Sequence, residues 1–491
     1  MTWRSLLGLL LLAFTAACTL GPDPTRPPTT AADRASAYAE SPQGESTNTP
    51  SNSWWRTFAD PITVRLIQTA LANNTDVRAA AARVLQAKAT LVSATGARWP
   101  AADVSFSANR NKFSFVLPQV GRVGIYSTTF SDQLSISYQV DLFGRLARSK
   151  QAAWANLLAT EADRQTVVNS LIAQVIRTRS LIAALDRQRR LDRALEQSWQ
   201  QTLAITTQRY RLGVADAGRV YAAQGQVAAA RSAILRLDVQ RATARHALDI
   251  LLGRRPGTGP PLPPTLPPVP DLRPVPTGVP ASLLDRRPDL IAARMRFAAA
   301  TAQVGVALAN LFPSLKLSAS GGTTANKLNQ LSNSNTVVYN AALNLLAPLF
   351  HGGRLHAAVR FSRAQAKEAA ARYAGAVLKA MSEVENALAA NRSLVRQLEA
   401  AHEQDRAAQA SDKLARWRYE HGTGDLLDLL AADRAYREAQ LALSTVRANV
   451  WDARVGLYLA LGGDWDEGAR APREGDHSHR TASHHVRKPE E

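Results

Sequence analysis

The chain has 491 residues, 46% of them apolar and 6% aromatic, and a formal net charge of +19. This excludes a disordered chain and a bundle of transmembrane helices, and the abundance of Ala, Leu, Arg and Gln favours long helices. The charge is mostly Arg spread along helical stretches rather than gathered in one patch, which argues against a nucleic-acid partner, and the single cysteine, Cys18, excludes an intrachain disulfide.

The N-terminus carries an address. Arg4 supplies a positive start, and Leu6 to Phe14 is an apolar run too short to span a bilayer but suited to a signal peptide. Thr15, Ala16 and Ala17 then lead into Cys18 as in a bacterial lipobox, with Thr15 where such motifs prefer Leu. Cleavage before Cys18 and a covalent lipid on its thiol are therefore expected. The residue after the cysteine is Thr19, not the Asp that retains lipoproteins in the inner membrane, so the expected destination is the outer membrane. The following stretch, rich in Pro, Thr, Ser, Gly and Ala, reads as an extended tether.

From there the chain is a duplication. Arg209-Tyr210-Arg211-Leu212-Gly213 recurs as Arg418-Tyr419-Glu420-His421-Gly422, and Leu252-Gly253 recurs as Leu461-Gly462, both at an offset of 209. Arg98-Trp99-Pro100 answers Leu311-Phe312-Pro313, and Asp76-Val77 answers Asp289-Leu290, at an offset of 213. The offset changes between Pro100 and Arg145, so an insertion lies there.

Within the first repeat, a helix is predicted from Ile62 to Arg98, stopped by Pro100. Apolar and polar residues then alternate in two runs, Val104, Phe106 and Ala108, then Leu134, Ile136, Tyr138 and Val140. The connection from Asn111 to Tyr126 reads as a loop facing outside. A helix without Pro or Gly follows from Arg145 to Leu212, which at 1.5 Å per residue is roughly 100 Å long. A tight turn and a helix from Ala217 to Leu252 close the repeat. The second repeat has a helix from Ala281 to Leu311, alternation at Leu315, Leu317 and Ala319 and at Tyr339 to Leu345, and a long helix from Arg354 to His421. The helices flanking each long one are about half its length, so two of them end to end would match it.

The chain thus divides into a signal peptide (1–17), a lipid anchor and extended tether (18–60), a first repeat (61–255), a Pro-rich linker (256–280), a second repeat (281–465) and a His-containing tail (466–491). His477, His479, His484 and His485 lie in a polar tail that reads as disordered, and no metal site is expected there. No catalytic constellation and no cofactor motif appears. Four strands cannot close a barrel, and an open sheet edge is not tolerated in lipid, so transmembrane strands require several copies. Two copies would make a barrel filled by side chains, and three would leave a pore.

These residues resemble the TolC-like outer-membrane factors, most of all the lipidated kind that serve resistance-nodulation-division pumps. The resemblance covers nearly all of residues 18–465. It rests on Cys18 with Gly21-Pro22, Trp54-Trp55, the run Leu283-Leu284-Asp285-Arg286-Arg287-Pro288-Asp289-Leu290, Asn310-Leu311-Phe312-Pro313, the duplicated Arg-Tyr-x-x-Gly turn and Leu461-Gly462-Gly463-Asp464-Trp465. It implies a mostly α fold with a transmembrane β-barrel: a homotrimer whose twelve-stranded barrel, four strands per protomer, continues into a helical periplasmic tunnel. It also implies a passive efflux duct and no catalysis, with a periplasmic adaptor and an inner-membrane transporter as partners. A type I protein secretion duct and a periplasmic coiled-coil scaffold without a pore are the alternatives.

The resemblance also places the aperture at the turns from Arg209 to Val220 and from Arg418 to Leu429, with Tyr210, Asp216, Tyr419, Asp425 and Asp428 as candidate aperture residues. Asp216 and Asp425 also fall where helix caps belong, and that reading stands beside the first. Gly424 occupies the place of an arginine that closes the gate in some members, and Ala431 that of a later aspartate, so their ionic lock does not carry over.

Overall fold

The computed structural model describes residues 19–23, 25, 38–40, 54–58, 60–118, 121–263 and 280–463. The expected signal peptide, Cys18, most of the tether, most of the Pro-rich linker and the His tail lie outside the described residues. The first repeat comprises α1 (Pro61–Asn73), α2 (Thr75–Gly96), β1 (Ala101–Leu117), β2 (Gly121–Val140), α3 (Arg145–Arg211) and α4 (Ala217–Leu251). The second comprises α5 (Leu283–Arg286), α6 (Pro288–Ala309), β3 (Ser314–Ala325), β4 (Val337–Leu346), α7 (Arg354–Glu420) and α8 (Leu426–Ala460).

The two long helices, α3 and α7, have 67 residues each and begin after Gly144 and Gly353, whose φ values of +74° and +79° only glycine adopts without strain. Neither contains a Pro, so nothing interrupts the helical hydrogen bonding.

The first helix is not continuous, as the sequence suggests, but breaks at Asn74. That residue leaves the helical region (ψ 133°) and its side chain accepts hydrogen bonds from the backbone of Asp76 and Val77, capping α2. Its amide nitrogen also donates to the carbonyl of Leu251, the last residue of α4, at 3.0 Å. The matching helix of the second repeat breaks at Arg287 because Pro288 keeps the preceding residue extended. Arg287 then donates to the carbonyl of Ala460, the last residue of α8, at 3.2 Å. In both repeats, therefore, two shorter helices meet end to end beside a long one. The end-to-end junctions are held by one polar side chain each.

α3 packs against α1, α2, α4, α6 and α8, whereas α7 packs against α6 and α8. The two repeats therefore interlock rather than hang as separate beads. The largest core cluster lies where the first repeat meets α8. Trp54 stacks on Tyr458 and Phe58 on Trp451, each pair with ring centroids 5.3 Å apart.

The strands form one antiparallel sheet in the order β1-β2-β3-β4, so β1 and β4 are its open edges. Pairing of β1 with β2 runs unbroken from Ala101↔Ser137 to Leu117↔Gly121. The expected outward loop from Asn111 to Tyr126 is thus strand for nearly its whole length. Polar residues Asn109 to Lys112 masked the signal, while Phe113, Val116, Ile125 and Tyr126 supply strand-forming side chains around them.

Directly opposed residues share a face. One face carries Val104, Phe106, Leu134, Ile136, Leu317, Tyr339, Leu343 and Leu345. The other carries Ser105, Ser107, Gln133, Ser135, Ser137, Ser318, Ser320, Asn340 and Asn344. All the apolar residues just named except Leu317 are largely exposed. No soluble core covers them. Six successive rows from Leu315 to Ala108 keep that face apolar apart from Asp132 and its neighbour Thr323, whose backbone and hydroxyl donate to the Asp132 carboxylate. With strands tilted about 40°, six rows span roughly 26 Å, the height of a hydrocarbon layer.

Among the described residues, no helix is long and apolar enough to cross a membrane.

Candidate functional site: the paired helical tips

Each long helix ends in the same turn. Gly213 and Gly422 take φ values of +77° and +79°, and the next residue's N–H closes back on the helix, Val214 to the carbonyl of Arg209 and Thr423 to that of Arg418. Asp216 then caps α4 by accepting from the Arg219 N–H at 3.1 Å, and Asp425 caps α8 by accepting from the Leu426 N–H at 2.7 Å. The capping reading of both aspartates is what the geometry shows.

The two tips are also tied to each other. The Thr206 hydroxyl lies 2.7 Å from the Tyr419 hydroxyl. The Arg209 guanidinium sits 4.6 Å above the Tyr419 ring and donates to the Tyr419 carbonyl at 2.6 Å. That carbonyl is at the C-terminal end of α7, where a cation also meets the negative end of the helix dipole. Arg219 reaches across to Asp425 at 3.1 Å and back to Asp216 at 3.4 Å. The ionic tie between the two tips thus runs through Arg219.

Behind the tips a small core of Trp199, Val227, Tyr419, Leu426 and Leu429 is backed by charged groups. The Trp199 indole donates to Asp433 at 3.1 Å, and Arg437 and Arg416 lie 3.0 and 3.6 Å from the same carboxylate. Burial pushes the Asp433 pKa up, partly offset by Arg437 and the Trp199 hydrogen bond, with nearby Asp412 adding to the rise.

The candidates from the sequence therefore separate. Tyr419, expected at the aperture, is 1% exposed and belongs to the core between the tips. Tyr210 is 49% exposed on the tip surface. Asp428, one turn into α8, is exposed and makes no ion pair among the described residues. Sequence reading missed Thr206, Arg219, Trp199 and Asp433. Their partners lie more than 200 residues away, and only the duplicated turn, which already contained Arg209, hinted that the two tips would meet.

The comparisons with known proteins agree with this architecture. The chain is 34% identical over 435 residues to the pyoverdine export outer membrane protein OpmQ of Pseudomonas aeruginosa, covering 84% of this chain and 87% of that protein. It is 33% identical over 488 residues to the toluene efflux pump outer membrane protein TtgF of Pseudomonas putida, covering 95% and 98%. Among solved structures, the outer-membrane channel OprN superposes with a TM-score of 0.81 at 30% identity, covering 91% of this chain and 99% of that one. The model of the family described as outer membrane efflux protein matches residues 66–254 and 279–463, so both repeats of this chain belong to that family.

Proposed function

We propose that three copies of this chain share one twelve-stranded barrel in the outer membrane and serve as the exit duct of a tripartite efflux system. The observation that carries this is the two-faced sheet. Its apolar side is uncovered, its polar side suits a water-filled lumen, and both its edges are open. A sheet of that kind is stable in lipid only when further copies pair with β1 and β4. A scaffold without a pore gives no use to such a sheet. The long helices then extend from the barrel into the periplasm and narrow at the tips.

The duct performs no chemistry. An inner-membrane transporter of the resistance-nodulation-division class loads it through a periplasmic adaptor, and cargo passes by diffusion. Relatives named for pyoverdine export and toluene efflux suggest small organic molecules as cargo rather than polypeptides. In this reading Cys18 carries a lipid that anchors the chain to the outer membrane, each buried methylene contributing about 0.8 kcal/mol. Asp428, exposed and without an ion partner, lines the aperture, and Tyr210 and Asp216 stand at its rim.

The test is outer-membrane fractionation with an unheated gel, on the wild type and on Cys18→Ala. A membrane-bound species at three times the monomer mass, retained in the variant, supports the barrel with an auxiliary lipid. A monomer that leaves the membrane when Cys18 is lost overturns it.

A further inference from the structure

On the β1–β2 hairpin the lipid-facing side changes character abruptly. Past the row of Ala108 and Phe130 it carries Arg110, Lys112 and Arg122, all exposed. The three residues share one face, because Arg110 opposes Thr128, Lys112 opposes Tyr126 and Arg122 opposes Val116. Tyr126 lies between the first two, its ring centroid 5.5 Å from the Arg110 guanidinium and 5.2 Å from the Lys112 ammonium.

These cations have no counter-ion of their own. The segment 104–131 contains no Asp or Glu, and none of the three forms an ion pair among the described residues. The second hairpin ends lower, with β3 stopping at Ala325 and β4 starting at Val337, and its connection contributes Lys327 but again no acid. The basic rows therefore rise alone above the apolar band.

Their level fixes what they meet. In the barrel orientation of the proposed function, on which this inference rests, the row next beyond the hydrocarbon layer lies among the headgroups of the outer leaflet. A tyrosine at that height is typical of the membrane interface. Unpaired cations on the lipid side, aimed away from the lumen, suit phosphates better than cargo. We infer that Arg110, Lys112 and Arg122 form a binding site for the phosphate groups of an anionic outer-leaflet lipid, one site on each β1–β2 hairpin of the assembly. Arg110 and Lys112 sit about 7 Å apart along β1, close enough to hold one phosphate between them. Arg122 lies roughly 13 Å further out, beyond the reach of that phosphate, and takes a second one on the same headgroup or the next.

The test uses the full-length protein in a neutral detergent. Fluorescent diphosphorylated lipid A is titrated into the wild type and into the triple variant Arg110→Gln, Lys112→Gln, Arg122→Gln. Unlabelled diphosphorylated lipid A, dephosphorylated lipid A and inorganic phosphate serve as competitors. The site predicts that the triple variant loses at least about tenfold in affinity, given that each basic group near an anionic surface contributes measurably to lipid attachment. A charge-preserving variant, Arg110→Lys with Arg122→Lys, keeps most of the binding, and only the phosphorylated lipid competes. Equal affinity in the triple variant, or equal competition by dephosphorylated lipid, overturns the site. Competition by inorganic phosphate as strong as that by the lipid overturns the lipid assignment and leaves a free-anion site. Planar-bilayer conductance separates the two levels of failure. If the triple variant still conducts and binds lipid normally, only this inference falls. If the wild type forms no pore, the barrel reading falls with it.

Discussion

Tyr210 and Tyr419 occupy the same place in the two repeats, 209 residues apart, each flanked by an arginine and followed three residues later by a glycine. Tyr419 is buried under Arg209 and bonded to Thr206, while Tyr210 is half exposed and its counterpart cation, Arg418, lies in solvent. The local sequence is not what separates them. The tip of α7 has the tip of α3 beside it on one side, and among the described residues nothing covers the far side of the α3 tip. In the trimer proposed above, that far side faces the α7 tip of the next copy, which puts Tyr210 and Arg418 at the proposed seam. Counterpart arithmetic also changes the electrostatics there. Arg219 corresponds to Asp428 and Asp425 to Asp216, so the acid–base tie inside one chain becomes an acid facing an acid across the seam. In that proposed ring the weaker junction is then the one between copies.

This asymmetry can be broken experimentally. The largest effect is expected from Tyr419→Ala, which empties a filled core position at a cost of about 3 kcal/mol. Hydrogen exchange at both tips should accelerate, whereas Tyr210→Ala should leave exchange within the monomer unchanged. Equal effects of the two would remove the distinction between the junctions. Next comes Arg209→Ala, which strips a charged donor from the end of α7 and should cost about 1.5–3 kcal/mol, against less than about 0.5 for Arg418→Ala in a monomeric preparation. Thermal melts of both variants measure it.

A third effect is pH dependence. The Asp433 pKa is raised in the fold, so the folded tip holds that proton more tightly than the unfolded chain does. Its stabilising contribution is complete below the unfolded value near 3.9 and is lost as pH rises through the higher folded value. Acidification across that window should raise the stability of the tip locally, with Arg416, Arg437, Asp412 and Trp199 as the facing groups. Asp433→Asn should flatten the dependence, and an unchanged profile in exchange measurements at the tip would sink the assignment. The smallest effect belongs to Arg219 and Asp425, both partly exposed. A double-mutant cycle should give a coupling of only about 0.2–1 kcal/mol, shrinking with salt.

Much of this architecture was legible because punctuation in the chain is strong. Pro100 and Pro313 stop helices, Gly213 and Gly422 mark turns, and no proline breaks the 67 residues of either long helix. The break at Asn74 was not legible. The Asn73-Asn74 pair in a helical pattern looks tolerable until the end of α4 arrives to accept the hydrogen bond of the Asn74 amide. The extent of the first hairpin was hidden for a related reason. Polar Asn109 to Lys112 look like a loop when strands are expected to be apolar on one side throughout, and the pairing register alone reveals that the strand continues. At the tips the capping aspartates followed from local rules. The burial of Tyr419 did not, since it depends on Thr206 and Arg209 of the other repeat.

In the assembly proposed above, the open edges at β1 and β4 also govern how the barrel comes into being. A single chain has no stable membrane-embedded form, because its unpaired edge groups find neither water nor a partner in lipid. Insertion and association are then one event, and its equilibrium rises steeply with the number of protomers that can meet. A lipid on Cys18 would act here as a concentrator. By holding newly arrived chains on a surface instead of in a volume, it raises their effective concentration and shifts the balance toward complete rings before stray edges can pair wrongly.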